Sequence, residues 1–323
     1  MQQRTLGAGG PAVGALGLGC MGMSWAYLES GRDDAESIAT VHRAVELGVT
    51  LMDTADVYGD GHNELLLGRA LLGRRAEVTL ATKCGLVVDD LHTKQMHRDG
   101  SPQHIAQAVR ASLARLGTDI IDLYYLHRVD EQVPLAESWG AMSELVAAGL
   151  VKRIGLSEVT VAQAESAQTI HPVAAIQSEL SLWTRDPLGS GTDDDLVAWC
   201  ARHGAAFVPF SPLGRGFLTG SVDASTTFEP SDMRSRLPRF AGAARHSNQH
   251  IVDLVREVAQ AHEAAPAQVA LAWVLAKGEH VIPIPGTRRP AHLLTNVGAV
   301  DLSLSDAELK VLDEIPAAVG TRY

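Results

Sequence analysis

The chain has 323 residues and a formal net charge of −11, which counts against a generic surface for nucleic acid or anionic membrane; any bound anion must be held by a local site. Hydrophobic residues make up 46%, enough for a large core, yet no apolar stretch reaches the length of a membrane span and the start, MQQRTLGAGG, has no apolar h-region. Cys20, Cys84 and Cys200 are scattered, with no CxxC, HExxH or clustered His/Cys spacing. They give neither a disulfide framework nor a metal site, and a cytoplasmic address is expected.

Short β-rich runs alternate with amphipathic ones along the chain. The first strand is expected at 15–19, followed by a helix over 34–47 opened by Asp33 and Asp34 and closed by Gly48. A strand at 50–52 precedes a helix at 64–72. A strand at 78–82 precedes one at 102–116, with Ser101 as cap, Pro102 in the first turn and Gly117 as stop. Strands at 120–126, 151–156 and 174–178 are followed by helices at 134–148, 160–169 and 193–203. Asp193, Asp194 and Asp195 look metal-like, but a cap with first-turn acids accounts for them. A seventh strand at 205–210 leads into a long Gly/Ser/Pro-rich loop, 213–248, of the kind that forms lids or binding loops. An eighth strand is expected at 280–283, and the tail 301–323 carries one short helix and then coil. Eight strands, each followed by a helix, favour a (β/α)8 TIM barrel over a doubly wound open sheet, as one domain spanning 1–323.

Asp53, Tyr58, Lys83 and His127 stand at or just beyond the C-terminal ends of successive strands, which converge on one mouth in a parallel barrel. A phenol ordinarily titrates near about 10, too high for efficient proton donation. A neighbouring Lys83 ammonium is expected to lower that value, with Asp53 as its counter-charge. His127 is placed to orient a substrate carbonyl oxygen. Each residue alone has a packing explanation; the four together point to a proton-donating site, and so to an enzyme.

The run Gly17-Leu-Gly-Cys-Met-Gly22 matches GxGxxG, but no helix opens at its third glycine, so it is not a dinucleotide-binding fingerprint. These glycines either form a tight turn or let the backbone pass close to a ligand, and Gly22 and Met23 are grouped with the ligand-binding candidates. In the run Phe210-Ser-Pro-Leu-Gly-Arg-Gly216, Gly214 and Gly216 are expected to expose N–H groups and Arg215 to add charge. Gly286, Thr287, Arg288 and Arg289 precede a helix start suited to a phosphate. Both loops follow the strands after which barrels build phosphate sites, which implies a phosphate-bearing cofactor. Ser157 and Gln177 end strands five and six; Gln177 either pairs with an amide such as a carboxamide or bonds a loop. Trp25, Trp183 and Phe217 are candidates for an apolar substrate pocket, whereas Trp139, Trp199 and Trp273 are assigned to packing.

These segments resemble the aldo-keto reductase superfamily across essentially the whole chain. The matches, in order, are LGLGCMGM, MDTADVYG followed by NELLLGRAL, ATK ending in Lys83, DLYYLH ending in His127, IGLS, FSPLGRGFLTG and IPIPGTRR. The pattern is similar to bacterial, fungal and plant members that reduce aldehydes and ketones with NADPH. The resemblance implies a tetrad of Asp53, Tyr58, Lys83 and His127, with Tyr58 protonating the carbonyl oxygen. It implies NADPH/NADP+ held by Ser157 and Gln177 at the carboxamide, Phe210 against the ring, and the loop from Ser211 through Leu213 to Gly216 at the pyrophosphate. Thr287 and Arg288 would hold the 2′-phosphate and Asn296 would meet adenine. The chain departs from the usual pattern at Glu158 (often Asn or His), Phe210 (often Tyr), Thr295 (often Glu) and His292, where some relatives place an arginine. A small-molecule carbonyl substrate is expected, with no nucleic-acid or membrane partner, in a monomer or homo-oligomer. Two other readings stay open: a nucleotide-sensing regulatory subunit on the same barrel, and a phosphate-handling lyase or isomerase with Lys83 as a Schiff-base nucleophile.

Overall fold

A computed structural model describes residues 1–27, 29–191, 193–223 and 225–323; Ala224, inside the expected 213–248 loop, lies outside them. Seven parallel strands lie side by side in chain order: Leu18–Gly19, Leu51–Asp53, Thr79–Cys84, Leu123–Leu126, Ile154–Ser157, Ala175–Gln177 and Ala206–Phe207. Residues 281–286 close the ring, bridging to Phe207 and Phe210 on one side and to Gly19 on the other. The (β/α)8 expectation is met, but the eighth strand is only a series of bridges. Pro283 and Pro285 have no N–H. The N–H groups of Ile282 and Ile284 therefore go to the Phe207 and Pro209 carbonyls at 2.8 and 3.0 Å, while the Pro283 and Pro285 carbonyls accept from Gly17 and Gly19 at 2.9 and 3.3 Å.

Alternation along these strands sorts the core into two layers. Leu51, Ala81, Leu123, Tyr125, Ala175, Ala206, Ile282 and Ile284 pack together inside the ring. Met52, Leu80, Tyr124, Leu126, Ile154, Ile176 and Phe207 face the surrounding helices. Gly155 is a glycine because a Cβ there would lie 2.6 Å from the Tyr125 ring and 2.7 Å from the Ala175 carbonyl.

The helices follow the sequence signals closely. Asp34–Glu46 begins where the Asp33 carboxylate accepts from the N–H groups of Ala35 and Glu36. Pro102–Leu116 runs from Ser101 to a left-handed Gly117, and Val161–Gln168 opens on a Thr160–Gln163 capping box. The second helix is shifted towards the N-terminus, to His62–Ala70. Of the three aspartates, Asp195 is the cap, but the helix spans only Leu196–His203 and has no acid in its first turn; Asp194 instead accepts from Ser190 and Gly191 in the turn before it. Among the described residues no cluster of His, Cys, Asp or Glu could hold a metal ion, and no helix is long and apolar enough to cross a membrane.

Three features were not expected. Gln3–Thr5 and Ala12–Gly14 form an antiparallel hairpin that brings Leu6 and Val13 into the inner core. A second hairpin, Leu86–Asp90 with Gln95–Arg98, rises from the strand carrying Lys83. Its turn has no Asn-Gly signal; the Asp90 carboxylate makes it by accepting from the N–H groups of His92 and Thr93. The loop after strand seven holds the short 3-10 turns Gly214–Thr219, Met233–Arg236 and Pro238–Phe240, and it ends early because the helix Gly242–Ala261 is already under way before residue 248. The tail carries the one expected helix, Asp306–Asp313.

Candidate active site

The C-terminal ends of the strands bring the four chemical candidates together. Asp53 ends its strand, Lys83 is the penultimate residue of Thr79–Cys84, and His127 directly follows Leu126. Tyr58 reaches back from the loop after Asp53. The Lys83 ammonium is fully buried; it donates to Asp53 Oδ1 at 2.6 Å and to the Thr54 carbonyl at 2.7 Å, and lies 3.4 Å from Tyr58 Oη. The other Asp53 oxygen accepts from Gln177 Nε2 at 2.8 Å. The Tyr58 and His127 rings meet edge to face, with centroids 5.8 Å apart.

This packing fixes the protonation states. Burial pushes the Lys83 ammonium down, but the Asp53 charge and the Tyr58 hydroxyl outweigh it and its pKa ends above the ordinary lysine value. Burial holds the Tyr58 phenol above its usual value, and the Lys83 charge offsets only part of that rise. The expected net lowering of Tyr58 is therefore corrected for the free protein: desolvation wins because the hydroxyl has left water. Burial, followed by the Arg128 and Lys83 charges, drives the His127 imidazole well below its usual range, so it is neutral at pH 7. Its Nδ1 is buried without a hydrogen-bond partner.

A cavity of about 740 Å³ opens over these groups and is lined by Asp53, Tyr58 and His127. It runs past Gly22, Ser157, Gln177, Phe210, Ser211, Leu213, Arg215 and Gly216 to Gly286, Thr287, Arg288, His292 and Asn296. Most of the expected ligand residues thus share one continuous wall. At Gly19 a Cβ would sit 2.8 Å from the Ile284 carbonyl, so barrel closure itself demands that glycine, while Gly17 packs against Leu51 and Ile284. Only a 3-10 turn, Met21–Met23, follows, and the first α-helix waits until Asp34, as the rejection of a dinucleotide fingerprint requires.

Several expectations need correction. Met23 is buried in the core against the helices, and Met21 faces the cavity instead, because the intervening turn rotates them apart. Trp183 and Phe217 stack on one another at 4.2 Å, both buried with Phe240 edge-on against them, and only Trp25 of the three aromatic candidates lines the cavity. Gly214 is buried outside the cavity wall. The N–H groups of Gly214 and Gly216 are not free, since they donate to Ser211 and Leu213 carbonyls at 2.9 and 3.0 Å within consecutive tight turns. The Arg215 guanidinium is spent on Glu179, with bonds of 2.9 and 2.6 Å.

The structure adds wall residues the sequence did not single out. Leu86 and Met96 come from the second hairpin, Tyr27 and Val57 from the loops after the first two strands, and Met233 and Arg234 from the loop after strand seven. Tyr323 arrives from the tail, with the guanidiniums of Arg215 and Arg322 5.2 and 4.9 Å from its ring centroid. Arg322 is itself paired with Glu158 and sits 3.7 Å from Glu179. Glu158, the departure noted after IGLS, thus anchors the tail.

An α/β barrel whose strand ends gather a buried Lys–Asp pair, a phenol and a neutral imidazole defines a class of site, and sequence comparison gives it a family. The Aldo/keto reductase family matches residues 15–317, and the chain belongs to it. A probable aldo-keto reductase 1 of Glycine max is 39% identical over 327 residues, covering 100% of this chain and 92% of that protein. A glycerol dehydrogenase from Gluconobacter oxydans superposes with a TM-score of 0.85 at 30% identity, covering 97% of this chain and 94% of that one. An aldo-keto reductase from Klebsiella pneumoniae, solved in complex with NADPH, superposes with a TM-score of 0.74 at 27% identity over 100% of this chain and 98% of that one.

Proposed function

We propose that the chain is an NADP(H)-dependent oxidoreductase that reduces aldehydes or ketones to alcohols, with Tyr58 as general acid. The observation that carries this is the Tyr58 hydroxyl lying 3.4 Å from a buried ammonium that Asp53 keeps charged. NADPH, when bound, supplies a hydride. Tyr58 stays protonated until the carbonyl oxygen gains negative charge, then gives up its proton. Lys83 offsets the phenolate charge that this leaves behind. Neutral His127 offers an N–H to the same oxygen and fixes its position.

The residues present fit this cofactor. Arg288, Arg289 and His292 gather at the far end of the cavity, a donor set suited to the 2′-phosphate, with Thr287 beside them. Asn296, almost fully buried, faces the same end for adenine. Phe210 presents a ring to the cavity, and Ser157 and Gln177, the latter anchored to Asp53, would hold the carboxamide. Similarity to the Klebsiella reductase bound to NADPH supports the choice. A Schiff base on Lys83 is disfavoured, because it needs a neutral amine and Asp53 holds this one charged.

Fluorescence titration with NADPH and separately with NADH, followed by NADPH oxidation with a panel of aromatic and aliphatic aldehydes, tests the reading. Tight NADPH binding with turnover is expected. Binding without turnover on any carbonyl favours the sensing-subunit reading, and no binding of either nucleotide overturns the proposal.

A further inference from the structure

Arg128 follows His127 directly and lines the same cavity. Its Nη1 donates to the His127 carbonyl at 2.6 Å and to Ser157 Oγ at 3.1 Å, and neither acceptor carries charge. Two other guanidiniums of the cavity wall are neutralised: Arg215 by Glu179 at 2.6 Å, and Arg234 by Asp232 at 2.7 Å. Among the described residues Arg128 has no carboxylate within ion-pair distance, and its Nε and Nη2 make no hydrogen bond. Its charge nevertheless acts on both Tyr58 and His127. A guanidinium half-withdrawn from water and facing an apolar cavity is costly unless something answers its charge.

We propose that Arg128 recognises a carboxylate on the carbon next to the reacting carbonyl, so that the substrates of this site are 2-oxo acids. The inference rests on the reductase reading above and names its substrate class. Arg128 shares the cavity wall with Tyr58 and His127 and its charge reaches both, so a carboxylate one carbon from a carbonyl oxygen held between them comes within its field. A planar guanidinium accepts such a group through paired N–H donors. Trp25, Val57, Leu86 and Met96 line the cavity as well and suit an apolar or aromatic remainder. The reaction balances: C2 gains the hydride and its electron pair, the carbonyl oxygen takes the Tyr58 proton, and a 2-hydroxy acid and NADP+ result. Tyr58 regains its proton from water, and the carboxylate is unchanged.

Phenylglyoxylate and its methyl ester share a skeleton and differ in charge. Wild-type protein is expected to reduce the anion at least as efficiently as the more electrophilic ester. Arg128→Met, which keeps the apolar stem, is expected to lower the acid-to-ester ratio of kcat/KM roughly 10- to 100-fold, the worth of a charge-assisted hydrogen bond. Arg128→Lys should recover part of it. Calorimetric titration of phenylglyoxylate into the NADP+-loaded protein should show the same weakening without turnover. A merely structural Arg128 would lower both rates together. If Arg128→Met does not fold, wild-type calorimetry decides, and the anion must bind more tightly than the ester. Ester turnover with an unchanged ratio, or ester binding as tight as the anion's, overturns this inference alone. No turnover of either compound, or of any aldehyde, overturns the reductase reading and this inference with it.

Discussion

Replacing Lys83 by Met removes the one buried cation between Asp53 and Tyr58 and separates two effects. At the observed 3.4 Å from Tyr58 Oη, a unit charge acts on a phenolate with about 5 kcal/mol at an effective dielectric constant of about 20. If half of the phenolate charge has developed in the transition state, about 2.5 kcal/mol is lost, or roughly 70-fold in kcat. The variant also leaves the Asp53 carboxylate buried with Gln177 Nε2 as its remaining side-chain donor, which costs about 3–5 kcal/mol of stability. Lys83→Met combined with Asp53→Asn removes both charges and should regain most of that stability while recovering none of the rate. The assays are urea unfolding, NADPH fluorescence titration and NADPH oxidation with a good aldehyde. Turnover within about threefold of wild type in cofactor-saturated Lys83→Met would refute the electrostatic role. Equal unfolding midpoints for the single and double variants would refute the buried-charge argument.

His127 is buried neutral and its folded-state pKa is depressed. Below the unfolded value of about 6.5 the unfolded chain binds a proton that the folded one does not, so stability falls as pH drops through that point, by up to about 1.4 kcal/mol per pH unit for this group. His104 and His280, lowered by burial too, act with the same sign. His127→Gln should flatten the decline between pH 6.5 and 5 in thermal melts, and an unchanged slope would contradict the assignment. At the far end of the cavity, Arg288→Ala should weaken NADPH binding roughly 10- to 100-fold while altering NADH binding little. An equal loss for both nucleotides, measured by fluorescence titration, would remove Arg288 from the 2′-phosphate.

Local patterns in the sequence make much of this legible. Asp53, Lys83 and His127 stop or follow apolar runs, and in a parallel barrel that alone sends them to one mouth. Ser101, Gly117 and Thr160 marked helix ends through hydrogen bonds made within a few residues. What was not legible depends on distance or burial. Arg215 reads as a free cation until Glu179, 36 residues away, takes both of its arms. Trp183 and Phe217 read as pocket aromatics because composition does not distinguish a ring at a mouth from one buried against another ring. The direction of the Tyr58 shift follows from the balance between desolvation and one charge, which only packing sets. Pro283 and Pro285 thinned the eighth strand to bridges that periodicity does not reveal. Tyr323 reaches the cavity through Arg322 and Glu158, a contact spanning 164 residues.

The most direct test of the central claim is the turnover of Tyr58→Phe with saturating NADPH and a good aldehyde, alongside NADPH fluorescence titration. The ring and its packing remain, and the hydroxyl next to Lys83 is lost together with the proton it would donate. The account predicts NADPH affinity within about threefold of wild type and a fall in kcat of roughly 10²- to 10⁴-fold, the range for removal of a general acid. Near-wild-type turnover with the cofactor bound would contradict it.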